Sequence, residues 1–219
     1  MNEEKIDYAR EVAKALLEIG AVRLKPSDPF TWTSGLKSPI YCDNRMLISH
    51  PEAYELVVDA FVDIIENTEN LDFEYLAGTA TAGIPWAAFL AYDIAMPMVY
   101  VRSKPKEHGA AKMIEGDLPD GSHVIVVEDL ISTGGSSIVT VNALREEGSC
   151  TVTDVLAIFS YNFAKASTRF KESNVNAYTV TNIQTLTDVA VEMGKITKEE
   201  QEMVLSFTRD AEAWQAQWA

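Results

Sequence analysis

Glu128 and Asp129 stand side by side, and the chain continues Leu130-Ile131-Ser132-Thr133-Gly134-Gly135-Ser136. The apolar run Val124-Ile125-Val126-Val127 before the acids predicts a buried central strand, and Ser136 to Glu147 predicts a helix stopped by Gly148. A loop that enters a helix in this way presents backbone N–H groups beside the positive end of the helix, which is a cradle for a phosphate dianion. Ser132, Thr133 and Ser136 add hydroxyl donors, and Gly134 and Gly135 let the backbone come close. The paired acids accept hydrogen bonds from vicinal hydroxyls or help hold a hydrated Mg²⁺, an ion that prefers oxygen ligands. No Lys follows the glycines, so this is not a Walker loop. A plain Gly-Gly turn would be read as solvated surface; acids, hydroxyls, glycines and helix start in this order suit a sugar phosphate better.

Two further turns leave predicted strands. Gly78-Thr79-Ala80-Thr81-Ala82-Gly83-Ile84-Pro85 is a Gly-bounded strand-to-helix turn, by itself equally consistent with a structural turn. Val99-Tyr100-Val101 leads into a long loop holding Arg102, Lys104, Lys106, His108 and Lys112. In a chain of net charge −15, that concentration of cations points to closure over a polyphosphate rather than to a solvated surface loop. Near the N-terminus, short alternating pieces at Ala21 to Leu24, Phe30 to Thr33 and Pro39 to Asp43 are separated by Pro and Gly, and Ser34-Gly35-Leu36-Lys37-Ser38-Pro39 reads as a hairpin turn.

The elements that carry these turns alternate. Residues 4–19 form an amphipathic helix with Ile6, Ala9, Ala13, Leu16 and Leu17 on one face; Pro51 opens a second, running to about Glu66. Strands follow at Phe73–Ala77, Met98–Arg102, His123–Glu128, Val152–Phe159 and Ala177–Val180, with helices at Ile84–Tyr92, Ser136–Glu147 and Phe163–Glu172 and two closing helices. Alternation of this kind gives an α/β fold, a mostly parallel twisted sheet with helices on both faces. Ligands of such sheets sit at the carboxyl ends of the strands, where all three turns fall.

The segment Val124 to Ser136 resembles the phosphoribosyl pyrophosphate (PRPP) signature of the type I phosphoribosyltransferases. The 78–85 turn resembles their pyrophosphate loop, with Ala82 where many relatives carry Lys. The Arg102–Lys112 loop and the Ser-Gly-x-x-Ser-Pro hairpin are similar to those of the orotate-using branch, over about residues 6–185. The resemblance implies one phosphoribosyltransferase domain over 1–219: an N-terminal hood of about 1–45, a core of about 46–185, and C-terminal helices of about 186–219. It implies transfer of ribose 5-phosphate from PRPP to orotate, giving orotidine 5′-monophosphate and pyrophosphate in pyrimidine biosynthesis. Lys106 and Asp129 are then the catalytic residues. PRPP is held by Arg102, Lys106, His108, Glu128, Asp129, Leu130, Ile131, Ser132, Thr133, Gly134, Gly135 and Ser136, and orotate meets Ser132. Mg²⁺ is implied as cofactor, held through PRPP and water rather than by a set of protein ligands. A homodimer that shares the 102–115 loop between subunits is implied as well. The sequence departs from the family at Thr33, where many members have Lys, at Ser103, where some have Lys, and at Phe159 to Ala164, where others have a base-contacting Arg.

Composition bounds the alternatives. Hydrophobic residues at 47% and charged residues at 23% describe an ordinary globular chain. Net charge −15 opposes a nucleic-acid ligand. Cys42 and Cys150 have no partners at metal-ligand spacing and fit a reducing, cytoplasmic setting, although one disulfide between them is possible. The apolar stretch Ile84 to Val101 is broken by Pro85, Asp93 and Pro97, so no membrane span is predicted, and the N-terminus has no signal core. Three rival readings stay open: the same fold using another base, a non-catalytic PRPP-sensing regulator, and an α/β domain whose turns only look like sites.

Overall fold

The chain's local signals resolve, in a computed structural model that describes residues 6–31, 35, 37–105, 112–216 and 218, into elements close to those the sequence predicts. Helix α1 (Tyr8–Ile19) is followed by β1 (Val22–Leu24), β2 (Phe30–Thr31), β3 (Lys37–Ser38), β4 (Ile40–Cys42), a 3-10 helix (Asn44–Ser49) and α2 (Pro51–Asn67). The core then runs β5 (Tyr75–Thr79), α3 (Gly83–Asp93), β6 (Met98–Val101), β7 (Ile114–Glu115), β8 (His123–Ile131), α4 (Gly135–Glu147), β9 (Thr151–Ser160), α5 (Ala164–Glu172) and β10 (Asn176–Asn182). Helices α6 (Ile183–Glu192), α7 (Lys198–Arg209) and α8 (Ala211–Ala216) close the described chain.

Six described strands form one sheet in the order β10-β9-β8-β5-β6-β7, parallel throughout except for β7, which pairs antiparallel with β6. In β8 the side chains alternate: Ile125 and Val127 join the core under α1, α2, α3, α6 and α7, whereas Val124 and Val126 join the core under α4 and α5. All four are buried, which is why a central parallel strand reads as a continuous apolar run. The antiparallel β1–β4 pair and the β2–β3 hairpin nested between its strands lie outside that sheet, in the 1–45 segment expected as the hood.

Four differences from the sequence reading have physical causes. Helix α1 begins at Tyr8 because the Asp7 carboxylate caps it, accepting from the Arg10 backbone N–H at 3.2 Å; Ile6, placed on its apolar face by periodicity, is 53% exposed. Strand β8 does not stop at Glu128, because Leu130 and Ile131 still pair with Phe159 and Ser160 of β9. The acids therefore lie within the strand rather than beyond it. The two-residue strand β7 is too short to leave a pattern. The C-terminal segment forms three helices instead of two: a capping box between Thr197 and Glu200 starts α7, and the Asp210 carboxylate, accepting from the Ala213 N–H at 2.8 Å, restarts the chain as α8. Trp214 of α8 is 2% exposed and stacks edge-on against Phe207 of α7, so it is a core residue. Among the described residues, no helix is long and apolar enough to cross a membrane.

Candidate active site at the carboxyl edge of the sheet

Glu128 is 4% exposed although it carries a carboxyl group. Its Oε2 accepts from the Ser136 hydroxyl at 2.9 Å and the Ser137 hydroxyl at 3.3 Å, both on the first turn of α4, and its Oε1 accepts from the Asp129 backbone N–H at 3.3 Å. Burial, and then the neighbouring Asp129 charge, push the Glu128 carboxyl up to about 8; burial raises Asp129 as well. Two acids this close do not both ionise readily. A cation or a set of sugar hydroxyls arriving there would relieve that strain, so the pair is set up for a ligand rather than for water.

The hood reaches the same point. Asn44, fully buried, donates from Nδ2 to the Asp129 carbonyl at 2.6 Å and accepts on Oδ1 from the Cys42 thiol at 3.0 Å. Burial of the thiol, with Asp129 and Asp43 nearby, raises Cys42 well above its ordinary value, so this half-buried residue serves as a donor to Asn44 and not as a nucleophile. Beside it, Arg45 grips Asp43 through Nε at 2.6 Å and Nη2 at 2.7 Å, and this pair lowers the Asp43 carboxyl.

The loop between β8 and α4 has the geometry of a cradle. Gly134 sits at φ 72° directly before α4, a left-handed position that glycine occupies without strain, and no side chain caps the helix there. The N–H groups of the first turn thus have no intrahelical acceptor. Of the loop residues, Ser132 is half-buried and Thr133 and Ser136 are exposed. Leu130 packs against the core and the Ile131 side chain is 2% exposed, while the Ile131 carbonyl accepts from the Tyr161 N–H at 3.0 Å. Their side chains hold the strand in place, which leaves only backbone groups to face a ligand.

Strand β5 delivers the 78–85 turn alongside. Gly83 begins α3 so close to β8 that a β-carbon there would lie 2.5 Å from the Val127 carbonyl oxygen, a requirement for glycine that the Gly-bounded turn already suggested. The Ala80–Thr81 peptide in this turn is cis, and the buried Thr79 hydroxyl has no partner among the described atoms. On the far side, Arg102 lies 3.5 Å from Glu115 across β6 and β7, with Nε donating to the Lys104 carbonyl at 3.3 Å. Lys106 and His108 lie outside the described residues, as do Trp32, Thr33, Ser34 and Leu36 of the hood.

The structure thus brings the acids, the cradle, the 78–85 turn and Arg102 to one edge of the sheet. Three contributors were not legible in sequence. Asn44 reaches the site across 85 positions, Ser137 looks like an ordinary helical serine, and Arg169 on α5 donates from Nη1 to the Thr133 carbonyl at 2.8 Å and hydroxyl at 3.0 Å. The charge of Arg169 next to an uncharged loop is a signal only once α5 is known to pack beside α4.

Among the described residues no group of three or more His, Cys, Asp or Glu side chains could cage a metal ion. Two adjacent carboxylates with free lone pairs fit a largely hydrated Mg²⁺ that arrives with substrate oxygens, the usual binding mode of that ion.

Known proteins resemble this chain in sequence and fold. The profile of the phosphoribosyl transferase domain matches residues 44–193. The orotate phosphoribosyltransferase of Staphylococcus saprophyticus is 54% identical over 188 residues, covering 86% of this chain and 92% of its own. That of Coxiella burnetii is 46% identical over 210 residues, covering 96% of this chain and all of its own. Among solved structures, the orotate phosphoribosyltransferase of Aeropyrum pernix superposes with a TM-score of 0.71 at 30% identity, covering 84% of this chain and 99% of that one.

Proposed function

This chain belongs to the phosphoribosyltransferase family, in its orotate-using branch, and from that premise we propose that it joins N1 of orotate to C1 of PRPP, releasing pyrophosphate. The observation that carries the reading is the acid pair near the end of β8, buried Glu128 and half-buried Asp129, followed through the 132–134 loop by an uncapped helix N-terminus, because a ribose phosphate presents vicinal hydroxyls and a dianion.

In this reading the C1–N1 bond forms as the C1–O bond to pyrophosphate breaks; pyrophosphate leaves with the electron pair, and N1 sheds its proton to solvent. Positive charge develops on the ribose ring. Catalysis then consists of holding the ring, neutralising the leaving group and excluding water, with no covalent enzyme nucleophile. Glu128 and Asp129 accept from the ribose hydroxyls, and the first-turn N–H groups with Ser132, Thr133 and Ser136 hold the 5-phosphate. Ser136 has to turn from Glu128 to do so, since its hydroxyl donates to that carboxyl in the free protein. Arg102, Lys106 and His108 close over the pyrophosphate, with the 102–115 loop shared between the subunits of a homodimer. Mg²⁺, when bound, would add charge neutralisation at the pyrophosphate oxygens. The hood lies over the base, and Ser132 meets orotate. The setting is the cytoplasm, where de novo pyrimidine synthesis supplies orotate.

The test is to incubate the protein with PRPP and Mg²⁺ and to follow ultraviolet absorbance, with orotate, uracil, hypoxanthine and adenine in parallel. Consumption of orotate alone, stopped by chelation, supports the proposal. Use of another base overturns the hood's role, and PRPP binding without turnover on any base indicates a regulator.

A further inference from the structure

We infer that Arg169 is a positioning residue of the 5-phosphate cradle, acting through Thr133; the inference rests on the assignment of residues 132–136 to that phosphate. Ser132 to Ser136 carry no charged side chain, and the chain as a whole has net charge −15. A dianion approaching them meets an opposing field unless a cation stands close. Arg169 stands there, reaching from α5 to the loop with one nitrogen, Nη1, shared between the Thr133 carbonyl at 2.8 Å and the Thr133 hydroxyl at 3.0 Å.

Each of those bonds aims a donor. The Thr133–Gly134 peptide is trans, so its C=O and N–H point in opposite directions. Drawing the carbonyl towards α5 turns the Gly134 N–H away from α5, next to the free N–H groups that open α4. The threonine hydroxyl has one proton and two lone pairs. With a lone pair filled by the guanidinium, its proton is left to be donated elsewhere, and the charge-assisted bond makes that proton a better donor. Arg169 thus converts Thr133 from an ambivalent hydroxyl into two directed donors, one main-chain and one side-chain.

The packing is built around this contact. A β-carbon on Gly135 would lie 3.1 Å from Arg169 Nη1, and one on Gly134 would lie 3.2 Å from the Phe170 ring. The double glycine therefore admits α5 to the back of the loop as well as freeing the backbone in front.

The experiment compares two fragments of the substrate by titration calorimetry: ribose 5-phosphate, which carries the 5-phosphate, and pyrophosphate with Mg²⁺, which does not. Arg169→Gln should weaken ribose 5-phosphate about tenfold, as the loss of one charge-assisted bond requires, and leave pyrophosphate within about twofold. In turnover it should raise KM for PRPP far more than it lowers kcat, and Arg169→Lys should recover part of the loss. Thr133→Val should weaken ribose 5-phosphate similarly, and the double variant Thr133→Val/Arg169→Gln should fall no further than about twofold beyond the worse single change, because the two side chains act as one unit. Unchanged ribose 5-phosphate affinity in Arg169→Gln overturns the inference; so does an equal loss for both fragments, which would mean general loosening of α5. Failure of the unaltered protein to bind ribose 5-phosphate at all would instead remove the cradle assignment beneath it, and the inference with it.

Discussion

Residues 128–137 and the hood meet at Asp129, and they are held there by different means. The first lie inside continuous secondary structure, with β8 leading in, α4 leading out, and Ser136, Ser137 and Arg169 bonded across the turn. The hood's short strands lie outside the sheet and are seated on the core through Val22 and Ile40. From residues 37–44 to the rest of the chain, the long-range hydrogen bonds among the described residues are Asn44 to the Asp129 carbonyl at 2.6 Å and the Lys37 N–H to the Gln215 side chain of α8 at 2.7 Å. The difference matches the two ligands. A phosphate needs several donors fixed in advance, whereas a flat base that must enter and leave is better covered by a flap with few attachments.

Breaking the chemistry outside both regions should give the largest effect. Lys106→Ala should slow turnover ~100-fold or more, the loss of roughly 3 kcal/mol from one placed electrostatic group, with thermal stability unchanged. Equal activity in steady-state assays would sink its role. Within the rigid region, Asp129→Asn should raise KM for PRPP by about tenfold or more and leave KM for orotate nearly unaltered. An effect on orotate alone would invert the comparison.

The next effect separates the two regions by pH. The Glu128 carboxyl is raised to about 8 from an ordinary 4.5, so the free fold binds a proton that the unfolded chain gives up. Its contribution to stability is fully present below about 4.5 and is lost as pH rises towards 8. Glu128→Gln should flatten that part of the melting-temperature profile; an equally steep fall in the variant would place the titration elsewhere. Asn44→Ala removes one buried bond to the hood and should raise KM for orotate by about three- to tenfold while sparing PRPP. Gln215→Ala, on the outer attachment, should do the same by about twofold.

Legibility in the sequence follows the same division. The run from Val124 to Ser136 combines a buried strand, acids, glycines and a helix start within a dozen positions, so its place at the carboxyl edge of the sheet could be predicted locally. The hood could be recognised only as hairpins, because Asn44–Asp129 spans 85 positions and Lys37–Gln215 spans 178. Periodicity carries no record of such pairs. Ile6 misled for the opposite reason: it fits the stripe of α1, but the Asp7 cap starts the helix after it. Arg169 was invisible as a site residue because an Arg on an amphipathic helix is ordinary until α5 is seen to lie behind Gly134 and Gly135.

The most direct test of the account is a crystal structure of the protein with PRPP and Mg²⁺. The 5-phosphate should lie within hydrogen-bond distance of the N–H groups of residues 133–137, with Glu128 and Asp129 on the ribose hydroxyls. A 5-phosphate bound in the 79–83 turn, or a ribose turned away from the acid pair, would contradict it.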